Sequence, residues 1–202
     1  MTQKSPYLDE NIIFKETFSN IKYNTKINQN IGYDIIIYSN GKFRQLYKIE
    51  NDILNRNYSL FSKFKIDHNT YYVYYVSKNY HEGEWKNNIV YSCYENIIIN
   101  AKYSFIINDT RKIMKILPSY MDKIKKSFLI QKINFKINTF ISDLISKSLN
   151  KNGFIKTQEN IYSLALEALN VINEKILFNI GIRLEDLNLF LSKENYAKYN
   201  EN

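Results

Sequence analysis

The chain has 202 residues and a formal net charge of +8, and it carries a single cysteine, Cys93. That length suits one domain able to bury roughly 70% of the surface its unfolded chain exposes. A lone cysteine excludes an intrachain disulfide framework and a cysteine-rich zinc site, and no apolar run reaches the ~18 residues that a membrane-spanning helix needs.

Met1 to Glu10 holds Pro6, Asp9 and Glu10 where a signal peptide needs an apolar run, so the expected location is cytoplasmic. Asn, Ile, Lys and Tyr are abundant throughout, which weakens any argument from a lysine or asparagine alone. The net charge still favours anionic partners, phospholipid surfaces or nucleic acid, through an attraction that salt weakens.

In chain order, Glu10 to Phe18 gathers Ile12, Ile13, Phe14 and Phe18 and reads as a first strand, a short amphipathic helix or a membrane-facing lip. Ile31 to Tyr38 is β-branched and aromatic, and Ser39-Asn40-Gly41-Lys42 then supplies the Asn-Gly signal of a tight hairpin before Phe43 to Ile49 returns. Tyr58 to Ile66 and Thr70 to Val76 read as further strands, and Ser77 to Asn88 as a polar loop around Gly83. Ile89 to Cys93, Ile97 to Ala101 and Tyr103 to Ile107 complete a largely antiparallel sheet, with Asn108 as helix cap. Asp109 to Leu117 predicts a short helix stopped by Pro118, and Met121 to Ile130 a second one.

The most strongly periodic stretch follows. Ile133, Ile137, Phe140, Ile141, Leu144, Ile145 and Leu149 make one apolar helical stripe, which Asn152-Gly153 ends. Thr157 is the expected cap of the next helix, with Glu159 in its first turn and a stripe of Ile161, Leu164, Ala165, Ala168, Leu169, Ile172 and Ile176. After Gly181, Ile182 and Leu184 share one strand phase while Leu187, Leu189 and Leu191 share the other, so a bulge is expected at Glu185-Asp186. The expected class is α+β: a largely antiparallel twisted sheet, two to four helices and a returning C-terminal strand. Residues 1–192 form the expected single domain, with 30–107 mainly strands, 108–180 mainly helices, 181–192 a last strand and 193–202 a polar tail.

Chemistry-bearing clusters are few. His81-Glu82-Gly83-Glu84 lacks the second histidine of a metalloprotease helix, and His68 stands apart, so no metal is expected. Cys93 sits in an apolar run and reads as a buried thiol rather than a nucleophile. The isolated glycines match no phosphate-cradling fingerprint, so neither an enzyme nor a cofactor is expected. Tyr71, Tyr72, Tyr74 and Tyr75, with Lys78 and Lys86, offer a possible stacking platform for single-stranded nucleic acid, although alternating tyrosines cover a sheet face equally well. Lys112, Lys115, Lys123, Lys125, Lys126 and Lys132 could face anionic lipid, or simply water.

Three stretches taken in order carry a family likeness: Asn30 to Lys42, with its apolar strand running into Asn-Gly-Lys; Tyr72-Val73-Tyr74-Tyr75-Val76 followed by Trp85; and Ala101 to Asp109 leading to Ile180-Gly181-Ile182-Arg183-Leu184. Their order and spacing resemble the SPFH, or band 7, domain, and most closely its soluble bacterial virion-core-protein-like branch. The chain departs from that pattern in lacking a Pro-Gly before Tyr58-Ser59-Leu60, and in having Lys86-Asn87-Asn88 rather than a Gly-Thr turn after Trp85. The resemblance implies a non-enzymatic scaffold, a homo-oligomer lying peripherally on the inner face of the cell membrane, where it organises or recruits membrane proteins or meets an anionic lipid surface. Ile12, Ile13, Phe14 and Phe18 are the expected membrane or subunit contacts, because that segment has no evident partner in the hairpin sheet. Glu82, Glu84 and Trp85 of the tryptophan loop are the expected partner contact. A soluble interaction or structural subunit, and a basic module binding single-stranded nucleic acid, are the alternatives.

Overall fold

A computed structural model describes residues 11–19, 32–47, 70–92, 95–116 and 122–195. They form an α+β fold with strands β1 (Asn11–Phe18), β2 (Tyr33–Ser39), β3 (Lys42–Tyr47), β4 (Tyr71–Ser77), β5 (His81–Ser92), β6 (Glu95–Ile107), β7 (Lys123–Lys125) and β8 (Ile182–Asn195). The helices are α1 (Thr110–Ile116), α2 (Lys126–Glu159) and α3 (Ile161–Val171). The strands make two antiparallel sheets rather than one, and the chain divides into two compact units, Met1–Asn79 with Ile113–Lys126, and Tyr80–Lys112 with Ser127–Asn202. The expected strand Tyr58 to Ile66, His68, Cys93, Pro118 and the tail beyond 195 lie outside the described residues.

The first unit is organised by a five-stranded sheet in the order β3-β2-β4-β1-β7. Its hairpin closes as the Asn-Gly signal predicts, with Asn40 and Gly41 at φ 51° and 70°, the left-handed pair that matches strand twist. Alternation sorts the faces: Tyr33, Ile35, Ile37, Tyr71, Val73 and Tyr75 form a buried cluster, with Phe14 and Phe18 packed against it. Phe14 stacks on Tyr75 at 4.5 Å between centroids, and the Tyr75 hydroxyl donates to Glu16 Oε2 at 2.8 Å. Burial, then that carboxylate partner, raises the Tyr75 phenol well above its ordinary value.

These contacts correct the expectation for the N-terminal segment. β1 lies between β4 and β7, with Ile13 opposite both Val76 and Ile124. Ile12 and Ile13 are 0% and 1% exposed, so neither reaches a lipid or subunit surface while β1 is folded. The partner that could not be seen in sequence is a strand about sixty residues downstream and a three-residue strand beyond α1. Lys123 to Lys125 form that short strand, which displaces the helix expected from Met121; α2 starts at Lys126.

The second unit has a three-stranded sheet in the order β5-β6-β8. The loop expected from Ser77 to Asn88 is instead largely the first half of β5, paired residue by residue from His81 opposite Phe105 to Ile89 opposite Ile97. Likewise the two short strands expected between Ile97 and Ile107 are one strand, β6, because Lys102 merely occupies its exposed phase. β8 pairs with β6 and slips by one residue where expected: Ser104 faces Asp186 while Phe105 faces Leu184, leaving Glu185 as the bulged residue. Arg183 Nε donates to Glu185 Oε1 at 2.7 Å across it.

The helices keep their stripes but not their expected caps. Ile133, Ile137, Ile141, Ile145 and Leu149 are buried along α2. Gly153 breaks α2 at φ 73°, ψ 175°, a conformation essentially confined to glycine, yet helical structure resumes at once. Thr157 is therefore inside the helix and no cap; buried at 0% exposure, it shares a hydrogen bond of 3.0 Å with Ser148 across the break. Glu159 accordingly ends α2 rather than opening the next helix. At α1 the cap is Asp109, not Asn108, since its Oδ1 accepts from the amides of Arg111 and Lys112 at 3.0 and 3.1 Å.

Candidate functional site

In the second unit β5 holds Gly83 and Trp85 on one face and Glu82 and Glu84 on the other, as strand alternation requires. Gly83 lies opposite Tyr103, and a Cβ there would overlap the Tyr103 ring. Glycine thus lets the phenol cross β5 toward α2. The Tyr103 hydroxyl donates to Asn134 Oδ1 at 2.6 Å, and Asn134 Nδ2 donates to the Glu84 carbonyl at 2.8 Å. Burial raises the Tyr103 phenol well above its ordinary value, so it stays a donor through the physiological range. Asn87 Nδ2 donates to Ser142 Oγ at 2.8 Å and repeats the strand-to-helix tie two turns along α2.

A second device fixes the other wall. After α3 the helix widens into a π turn, Ile172–Ile176, closed by the Leu177 amide donating to the Ile172 carbonyl at 2.8 Å. Asn173 lies in that turn and bonds β8 with both ends of its amide: Nδ2 donates to the Leu184 carbonyl and Oδ1 accepts from the Leu184 amide, each at 2.8 Å. The side chain acts as one rung of a ladder and holds the π turn against the sheet.

Between these walls lies an open groove of about 790 Å³, lined by Trp85, by Asn134 to Thr139 of α2 without Ile137, and by Lys175, Ile176 and Asn179. No carboxylate lines it. Among the described residues, neither Lys136 nor Lys175 forms an ion pair, and the side chains of Asn138, Thr139 and Asn179 make no hydrogen bond. Phe135, at the rim, is 84% exposed. Lys132, one turn before it, lies over the Phe128 ring at 5.5 Å. A basic groove with unused donors and an exposed aromatic rim can hold an anion beside an apolar group.

The structure therefore divides the expected contact residues. Trp85 lines the groove but is 7% exposed, buried in a strand rather than displayed on a loop. Glu82 and Glu84 are exposed on the opposite face, around a smaller cavity of about 310 Å³ with Lys102, Ser104 and Asp186. His81 packs against Phe105 at 5.5 Å, and the described residues contain no cluster of three metal-ligating side chains. Of the tyrosine ladder, Tyr71 and Tyr75 are buried at 2% and 0% exposure and Tyr72 and Tyr74 are half-buried, so the ladder belongs mainly to the sheet.

Sequence reasoning missed Phe135, Lys136, Asn138, Thr139, Lys175 and Asn179. One signal was present: Phe135 falls between Ile133 and Ile137 yet off their stripe, which puts an aromatic ring on the polar face of a helix. No described helix is long and apolar enough to cross a membrane. No protein-family model matches the chain, and no curated protein matches its sequence. The SPFH likeness accordingly rests on the order and spacing of elements alone.

Proposed function

We infer that this protein is a non-enzymatic, SPFH-like scaffold that lies peripherally on the anionic inner face of the cell membrane and self-assembles there to organise or recruit membrane proteins. The observation that carries the membrane contact is Phe135, 84% exposed on the polar face of α2 with Lys132 and Lys136 beside it. Exposed phenylalanine on a basic helix face joins apolar insertion to attraction for acidic headgroups. Each lysine near an anionic surface contributes about 1 kcal/mol, and burial of a phenylalanine about 1.5–3 kcal/mol. This contact replaces Ile12, Ile13, Phe14 and Phe18, which belong to the first unit's packing.

Flotation of the purified protein with vesicles tests the reading. Wild type is expected to float strongly with anionic vesicles and only weakly with neutral ones, and Lys132→Glu with Phe135→Ser to reduce flotation on anionic vesicles at least tenfold while leaving thermal unfolding unchanged. Absence of flotation with anionic vesicles would sink direct lipid contact. Light scattering of the floated and free protein reads self-assembly, and a monomer in both would remove the scaffold.

A further inference from the structure

The geometry points to the groove beside Trp85 as a seat for a single phosphate ester, with Lys136 and Lys175 neutralising its charge and Asn138, Thr139 and Asn179 donating to its oxygens. This inference rests on the membrane reading for the natural source of the ester, a phospholipid headgroup, but the site itself is defined by its own residues.

Three features of the lining support it. The two ammonium groups come from separate elements, α2 and the π turn, and among the described residues neither is neutralised by a carboxylate. The three neutral polar side chains are unpaired among the described residues, whereas Asn134 beside them is committed at both ends to Tyr103 and to Glu84. Asn134 is thus a wall, and the unpaired side chains are the available ligands. Finally, Trp85, Phe135 and Ile176 add apolar surface to the same groove. A phosphodiester offers two charged non-bridging oxygens, as a carboxylate does, but adds two ester oxygens on a tetrahedral centre, so that ammonium groups and neutral donors from separate walls can engage it from different sides. The apolar surface suits the glycerol and first acyl carbons that a headgroup phosphate carries.

The frame that forms the groove is held independently of any ligand. Tyr103 and Asn134 tie α2 to β5, and Asn173 ties the π turn to β8. The donors are therefore held on supported elements, which lowers the ordering cost of binding. A face that was merely solvated and basic would attract anions by charge count alone and would not discriminate between their shapes.

Trp85 is the chain's only tryptophan, so its emission reports directly on this groove. The full chain is titrated with dihexanoyl-phosphatidylglycerol below its micelle concentration, with glycerol phosphate, and with hexanoate as a phosphate-free anion. A saturable, one-to-one change with the two phosphate esters and none with hexanoate is expected. Asn138→Ala with Asn179→Ala leaves the net charge unchanged and should weaken that binding about tenfold, the loss of one or two hydrogen bonds. Neither amide makes a hydrogen bond among the described residues, so thermal unfolding of the double variant should match wild type.

An equal response to hexanoate, no saturable response, or undiminished binding by the double variant would each overturn the site. If the variant failed to fold, the wild-type comparison of phosphate ester with hexanoate would still decide. Wild-type flotation separates this inference from the one beneath it. Flotation without a phosphate-specific titration removes the groove and keeps the membrane contact. A positive titration without flotation removes the membrane contact and assigns the groove to a soluble phosphate ester.

Discussion

Tyr103 and Phe14 show how single side chains acquire roles that their immediate neighbours in sequence do not reveal. The Tyr103 phenol is raised by burial, and the Tyr75 phenol by burial and its Glu16 partner. The folded chain thus keeps protons that the unfolded chain releases near pH 10. Their contribution to stability is complete below about pH 10 and is lost as the pH rises through the elevated folded values. Tyr103→Phe is expected to lower stability at pH 7 by about 0.5–1.5 kcal/mol through the lost bond to Asn134, and to narrow the further loss seen between pH 9 and about pH 11. Urea unfolding at the three pH values checks both signs. Phe14 stacks on Tyr75 inside the sheet. Replacing Phe14 and Phe18 with serine is therefore expected to cost about 3 kcal/mol or more in the same assay, as loss of core packing does. Unchanged unfolding would return both rings to the surface role that sequence suggested for them.

At the scale of elements, the π turn supplies one wall of the groove, while the break in α2 lies away from it. The Asn173 amide satisfies both backbone groups of Leu184, on an outer strand of the three-stranded sheet. Asn173→Ala leaves that pair unmatched and is expected to cost about 1–3 kcal/mol. Amide exchange should quicken at Leu184 and Leu177 before it does along β6, and uniform quickening would show that the bond has no local role. Gly153 acts differently, since its non-helical backbone ends the first helical segment of α2 as expected and a second segment starts at once, with the hydroxyls of Ser148 and Thr157 meeting across the break. Periodicity revealed the stripes on both sides of Gly153, because burial of an apolar face recurs with the helical turn whatever caps it. It did not reveal the cap, because helical structure resumes directly after Gly153 and leaves Thr157 inside the second segment rather than at its start.

For the whole molecule, a formal charge of +8 favours attraction to acidic surfaces, and in the proposed membrane contact Phe135 is the residue that would distinguish attraction from insertion. Screening shortens the reach of charge from ~10 Å at 0.1 M salt to ~3 Å at 1 M. The flotation expected of wild type should therefore fall with salt but persist in part, whereas Phe135→Ser alone should lose nearly all of it at high salt. Complete loss for wild type at high salt would leave charge as the sole contact.

By itself the sequence determined the α+β class, the Asn-Gly hairpin, the buried stripes of α2 and the bulge at Glu185. Each of these is written in neighbouring residues through turn chemistry or the period of apolar side chains. Only the tertiary structure decided that β1 has partners, that the tryptophan segment is a strand, and that Lys136 and Lys175 share a groove with Trp85. Strand pairing joins residues tens of positions apart, and a groove depends on which helix face meets which sheet edge. Neither relation leaves a periodic trace in any one segment, so the unpaired donors around Trp85 came into view only when α2, the π turn and β5 were placed together.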